Sequence, residues 1–426
     1  MMGKMQFDLH LQRLKDRFAE TPDSIILKAD VLREGLRFTA DLAEVALWAI
    51  PTNAFLSRED IPADEAANEV LAAPNQLTLP DGTRVNLELD KKSPYFVRKQ
   101  GNHRYVLFRG KNPITEVSSP ARPTFQTTLS DGSAVSDFLG QRTENCIAIV
   151  HSLFCEYSKN RDQCAFCILG NMMAGLTLSD ISDFIPQNQK KTIEACTLAA
   201  KEIKIRHAVV SGGSFIKTEL EAKSYAKTIA ALRKALGPKT RITAVCQAFD
   251  EKGWLLLKEA GADRVQPNLE VWEDRLWEEV VPGKTKAVGK KEWIRRLKAA
   301  VDIFGPGQVA TNFVAGVELL SPNGSPHESD AVESHMRAYE FLVDHAIVPI
   351  FGFLTKARGT RYEGMELPST EFYLELGWKR HLIMQQSGMY DCFPGGDDAD
   401  FSCYQCVAHK TGQDYRRLSG DTPLKP

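Results

Sequence analysis

Residues Cys146–Cys167 read CIAIVHSLFCEYSKNRDQCAFC, an apolar run of strand character that opens into a polar loop bearing three cysteines. The loop cysteines, Cys155, Cys164 and Cys167, are spaced C-x8-C-x2-C. Two thiols separated by two residues can bind the same metal centre, and a third can join them across a loop. Three protein ligands on a four-coordinate centre leave one position open, and an open position is where chemistry is done. The alternative is a closed zinc site completed by His151 or a nearby acid, or three unrelated thiols.

Working outward from this stretch, a strand-then-helix rhythm runs from Glu144 to the end of the sixth unit. Apolar strands are expected at Cys146–Phe154, Ile205–Val210, Arg241–Ala248, Arg264–Val271, Val309–Val317 and Ile347–Leu354. Between them, Tyr225, Ile229, Leu232 and Leu236 form one helical stripe closed by Gly237-Pro238. Ile294, Leu297, Val301 and Phe304 form another, closed by Gly305-Pro306. A last helix is expected at Thr370–Gln386. Repeated β-then-α units imply an α/β fold with parallel strands and right-handed crossovers, either a barrel or a doubly wound sheet. In both, function gathers at the carboxyl ends of the strands, where the three cysteines sit.

Residues 1–140 read differently, as a small α+β N-terminal wing. Asp30–Ile50 has helical apolar spacing and stops at Pro51. Turn signals follow at Pro80-Asp81-Gly82, Gly101-Asn102 and Asp131-Gly132, each between short strand-like runs. The resulting division is 1–140, 141–388 for the β/α series, and 389–426 for a cysteine-containing extension.

Composition sets the outer bounds. The 426 residues are 43% hydrophobic and 25% charged, enough for a large core, and the net charge of −2 with no long basic run argues against nucleic acid. The opening MMGKMQFDLHLQRLKDRF has no apolar signal core, and no apolar run reaches the ~18 residues that span a bilayer. A cytoplasmic protein without membrane contact is expected. Nine cysteines in a reducing compartment then read as metal ligands or buried thiols, with Cys146, Cys196 and Cys246 as core thiols.

The three-cysteine loop after the first strand of a six-unit β/α series resembles the radical S-adenosylmethionine (SAM) superfamily, in its biotin synthase-like branch. That resemblance implies a partial (β/α)6 TIM-type barrel and a 4Fe–4S cluster on Cys155, Cys164 and Cys167, with SAM on the fourth iron. Phe166 matches the aromatic residue usual before the last cysteine. The usual spacing is C-x3-C-x2-C, so Glu156–Gln163 is an insertion, costing roughly 0.9 kcal/mol of additional loop-closure entropy. VVSGGS at Val209–Ser214 resembles the Gly-Gly-Glu-type motif after the second strand, with Ser214 where Glu is typical. It implies SAM contacts from Ser211, Gly212, Gly213 and Ser214. QPNLEVWED implies ribose or methionyl contacts from Asn268 and Glu270, which strand alternation places on one face. GQVATNFVAGVE resembles the fifth-strand glycine motif, implying adenine contacts from Gly316, Val317 and Asn312. The interval Trp272–Lys291 is similar to a loop that biotin synthase-like members place here.

Two further sets lie beyond that core. LTKARGTRYEG brings Lys356, Arg358 and Arg361 after the sixth strand, either an anion clamp for substrate or a solvated basic loop. The extension carries Cys392, Cys403 and Cys406 as C-x10-C-x2-C with His409 three residues on. This set reads as an auxiliary iron–sulfur cluster, a structural zinc site with His409 as fourth ligand, or a lone CxxC pair. The resemblance implies an enzyme that reductively cleaves SAM to a 5′-deoxyadenosyl radical and abstracts hydrogen from a small-molecule substrate in cofactor or natural-product biosynthesis. An electron donor such as flavodoxin or ferredoxin is implied with it. No acid–base residue can be assigned. A non-catalytic iron–sulfur carrier and a zinc-stabilised protein are the competing readings.

Overall fold

The computed structural model describes residues 5–45, 50–51, 72–74, 76–101, 104–119, 125–143, 145–152, 154–169, 178–357, 359–393 and 408–418. In the wing, helices α1 (Leu9–Arg17) and α2 (Asp23–Glu34) precede a short α3 (Ala40–Val45). The single helix expected over Asp30–Ile50 is therefore corrected. Gly35 stops α2 with φ +71°, and a Cβ there would stand 2.8 Å from the Glu88 carbonyl oxygen, so the chain turns out to meet that neighbouring segment. Asp30 lies inside α2 and is fully buried, accepting from Tyr95 Oη (2.5 Å) and Thr370 Oγ1 (2.6 Å).

The turns at Asp81-Gly82 and Gly101 close antiparallel pairs as expected: β1 (Gln76–Thr78) with β2 (Arg84–Asn86), and β3 (Tyr95–Lys99) with β4 (Tyr105–Arg109). The sequence reading missed β5 (Asn112–Val117), which adds to β4, and β6 (Gly140–Thr143), an antiparallel edge strand on the first barrel strand.

All six strands of the β/α series are present. They are β7 (Cys146–Ser152), β8 (His207–Gly212), β9 (Arg241–Ala244), β10 (Arg264–Val265), β11 (Ala310–Ala315) and β12 (Val348–Phe353). β7 through β10 pair in sequence order, all parallel, and β11 pairs with β12 in parallel. Single bridges at Val265↔Val309 and Glu270↔Phe313 join β10 to β11. Consecutive order with no reversal excludes the doubly wound sheet.

Curvature is shown by the side chains. Val209 and Ser211, Thr243 and Val245, and Gln266 and Asn268 line one cavity of about 310 Å³. Asn312 with Val314, and Gly352 with Leu354, complete it from the next two strands. Period-two pairs from five successive strands can face one cavity only if the sheet curls into a partial barrel. The alternate residues, such as Ile147, Ile149, Ala208, Val210 and Ile242, are buried in the core that the helices cover. That core includes the Tyr225, Ile229 and Leu232 stripe of α6 (Thr218–Leu236), with α5 (Leu178–Glu202) before it. Cys196 and Cys246 are free thiols, whereas Cys146 is fully buried and disulfide-bonded at the first residue of β7, correcting its reading as a core thiol. No helix among the described residues is long and apolar enough to cross a membrane.

Candidate active site

The cysteine loop leaves β7 at its carboxyl end and is held there by backbone. Glu156 N donates to Ser214 O (2.8 Å) and Gly213 N to Ser152 O (2.7 Å). A Cβ at Gly213 would lie 2.0 Å from the Phe154 carbonyl oxygen and 2.8 Å from Cys155 N. Gly212 and Gly213 thus serve first to let the end of β8 pack against the start of the loop.

The eight-residue spacer is ordered. It forms a short helix, α4 (Glu156–Lys159), and turns back through Arg161 at φ +62°. Tyr157 is 3% exposed and stands against Gly283, where a Cβ would fall 2.3 Å from its Cγ. Its hydroxyl donates to Gln247 Oε1, and Gln247 Nε2 donates to Glu221 Oε2 (2.6 Å). Burial pushes the Glu221 carboxyl up to about 7. On the far side, Ala165 N donates to Val280 O (2.8 Å) and Arg361 N to Ala165 O (2.9 Å).

Cys155 is buried, and Cys164 and Cys167 are half-buried. Burial raises the Cys164 thiol strongly and the Cys167 thiol to about 11; the neighbouring cysteines and Glu270 add to both shifts, and Lys284 opposes them. A metal centre must take these groups as thiolates and release their protons. The thiols lie within electrostatic reach of one another. Yet among the described residues no three His, Cys, Asp or Glu side chains converge as one metal ion requires.

Beside the cysteines lies a group that sequence reasoning missed. Lys284 Nζ donates to Glu270 Oε1 (2.7 Å) and to the Asn268 carbonyl (2.8 Å), 4.9 Å from the centre of the Trp293 ring. Both charged residues are buried. Glu270 has φ +69°, so strand alternation ends there, and Lys284 rather than a shared face joins it to Asn268. The interval Trp272–Lys291 is the region concerned, but its four lysines and lack of periodicity give no means of choosing Lys284. It enters on a helix, Pro282–Ala287, begun by proline.

The structure gathers Phe166, Ser211, Asn268 and Asn312 around the one cavity, and Cys167 directly follows Phe166 in the loop. Ser214 is tied to the loop through its carbonyl. Gly316, at φ +115°, is packed instead toward Pro368, Tyr373 and Leu354, and neither it nor Val317 lines the cavity. Of the basic trio, Lys356 pairs with Asp90 (3.2 Å) in a second cavity between wing and barrel, and Arg361 pairs with Glu279 (3.3 Å). Arg358, Cys403 and Cys406 lie outside the described residues. Cys392 stands against Gly307, before β11, at the end of the barrel opposite the cysteine loop. His409 lines the cavity together with Lys410.

No family model matches the chain. It is 24% identical over 210 residues to bacteriochlorophyllide c C-7(1)-hydroxylase of Chlorobaculum limnaeum, covering 45% of this chain and 51% of that protein. The chain therefore spans about half the length of the curated relative it matches. Among solved structures, methylornithine synthase aligns at 17% identity and TM-score 0.38, covering 55% of this chain and 62% of that one. Coproporphyrinogen III oxidase of Escherichia coli, a radical SAM enzyme, aligns at 14% and 0.41, covering 62% and 59%. The cobalamin-dependent S-adenosylmethionine radical enzyme OxsB aligns at 15% and 0.33, covering 68% and 36%.

Proposed function

We propose that this chain is a radical SAM enzyme acting on a small-molecule substrate. The observation that carries the reading is the meeting of four residues, each picked out by a separate motif, around one cavity under the cysteine loop: Phe166, Ser211, Asn268 and Asn312. Cys155, Cys164 and Cys167 would hold a 4Fe–4S cluster with SAM on the open iron. Bound there, the pair supplies a reductively generated 5′-deoxyadenosyl radical for hydrogen abstraction from substrate.

The chain's own residues supply position and dryness. Tyr157, Gln247 and Glu221 fix the spacer, so the loop meets the barrel in one place. Lys284 and Glu270 set a buried ion pair beside the cysteines. Asn268 and Asn312 present amide groups to SAM, and the barrel wall excludes water. A cytoplasmic reductant completes the system.

Anaerobic reconstitution with iron and sulfide, followed by electron paramagnetic resonance, tests the assignment. A 4Fe–4S signal that changes when SAM is added is expected, and Cys155→Ala, Cys164→Ala or Cys167→Ala should each remove it. Cys392→Ala should retain it, since Cys392 lies at the other end of the barrel. Zinc without iron, or a signal indifferent to SAM, would contradict the proposal.

A further inference from the structure

Next to the barrel cavity lies the second one, about 180 Å³ between wing and barrel. The two share a wall, because Leu354 and Thr355, which follow β12, line both. Leu32 and Leu89 of the wing, with Leu367, add apolar surface to the second cavity.

The charged groups that line it are engaged or solvated, with one exception. Lys356 pairs with Asp90 (3.2 Å) and Arg33 with Glu34, while Glu363 accepts from Gly359 N (2.6 Å). Lys91 and Lys92 are exposed. The exception is Glu88. Its backbone carbonyl accepts from Leu36 N (2.8 Å), but no described residue donates to its carboxylate. Burial raises this carboxyl to about 7, and no neighbouring charge or hydrogen bond opposes the shift.

A carboxylate withdrawn from water without a partner is costly, and folded chains seldom leave one so. A ligand's ammonium group would supply the partner through charge-assisted hydrogen bonds, and the leucines would receive a short apolar body. A void of ~150 Å³ takes a molecule the size of benzene, so this cavity suits a ligand of roughly six heavy atoms.

We infer that the cavity between wing and barrel is the substrate site and that Glu88 anchors a primary amine there. The substrate is then a small amine whose apolar end lies against Leu354 and Thr355, the wall shared with the cavity under the cysteine loop. That the amine is a substrate rests on the proposed function; its binding does not.

Saturation-transfer NMR with n-butylamine, and separately with the neutral 1-butanol, tests it on the full chain. At pH 8 the Glu88 carboxyl is ionised and the amine is still protonated. The wild type should bind butylamine in preference to butanol. Glu88→Gln should weaken butylamine at least about tenfold, the size expected for one charge-assisted hydrogen bond, and leave butanol unchanged. Asp90→Asn, which releases Lys356 beside the cavity, should also weaken butylamine and serves if Glu88→Gln does not fold. Equal binding of the two probes by the wild type, binding of neither, or undiminished butylamine binding by these variants overturns the inference. Formation of 5′-deoxyadenosine by the wild type is scored separately. Its absence with Glu88-dependent butylamine binding intact removes the radical reading and leaves the amine site; its presence with indifferent binding does the reverse.

Discussion

Lys284 shows how much of the site turns on single side chains. Its ammonium group is buried between the Glu270 carboxylate and the Asn268 carbonyl, and Glu270 itself adopts a left-handed backbone conformation. Removing one member of a buried ion pair strands the other charge, which typically costs about 3–5 kcal/mol, far more than the net worth of the pair. Lys284→Met should therefore lower unfolding free energy by about that amount in urea titrations, and adding Glu270→Gln should recover part of it. Additive losses in the double variant would show that the two groups are not coupled. Nothing in the residue pattern marked Lys284 out, because pairing across a loop leaves no periodic trace. The cysteines, by contrast, were legible at once: C-x2-C spacing is local and chemically restrictive.

The spacer from Cys155 to Cys164 is the element on which the site's geometry depends. Its Tyr157–Gln247–Glu221 chain ends in a buried carboxyl at the first turn of α6, where Phe215 N also donates to Glu221 Oε2 (2.7 Å). Burial raises this carboxyl from its ordinary 4.5 to about 7. Between those values the folded chain holds a proton that the unfolded chain has released, so this group's contribution to stability falls as pH rises through the window, by up to roughly 3 kcal/mol. Glu88, also raised to about 7 by burial, slopes the same way, whereas His151, held down to about 4, slopes oppositely. The difference between wild type and Glu221→Gln isolates the one group: from pH 5 to 8 the variant's melting temperature should decline less. Parallel curves would remove Glu221 from the account. The strands around this element were readable because each is a short apolar run bounded by Gly, Pro or charge. Helix α2 was not, since Gly35 breaks a pattern whose apolar spacing continues on both sides of it.

At the scale of the molecule, the wing meets the last described helix. Lys28 of α2 pairs with Asp414 of the last helix, Gly412–Leu418, at 2.6 Å with both side chains at most 2% exposed. Tyr415 and Leu374 join the wing's apolar core, and residues 409–410 reach the barrel cavity just before that helix. Lys28→Met should destabilise the chain by about 3–5 kcal/mol and expose the terminal segment to limited proteolysis before the barrel unfolds. Simultaneous loss of both would show one cooperative unit. This long-range closure was invisible in sequence, where the final residues read as a separate cysteine-bearing extension. The barrel was visible because βα repetition is a local signal, whereas contacts between residues almost four hundred positions apart are set only by the finished fold.

The proposed centre, the cysteine loop with the cavity beneath it, would cleave SAM. It is tested most directly by reducing the anaerobically reconstituted protein in the presence of SAM and quantifying 5′-deoxyadenosine by chromatography. The wild type should form it, and Cys155→Ala, Cys164→Ala and Cys167→Ala should each fail to. A fully cluster-loaded protein that leaves SAM intact would contradict it.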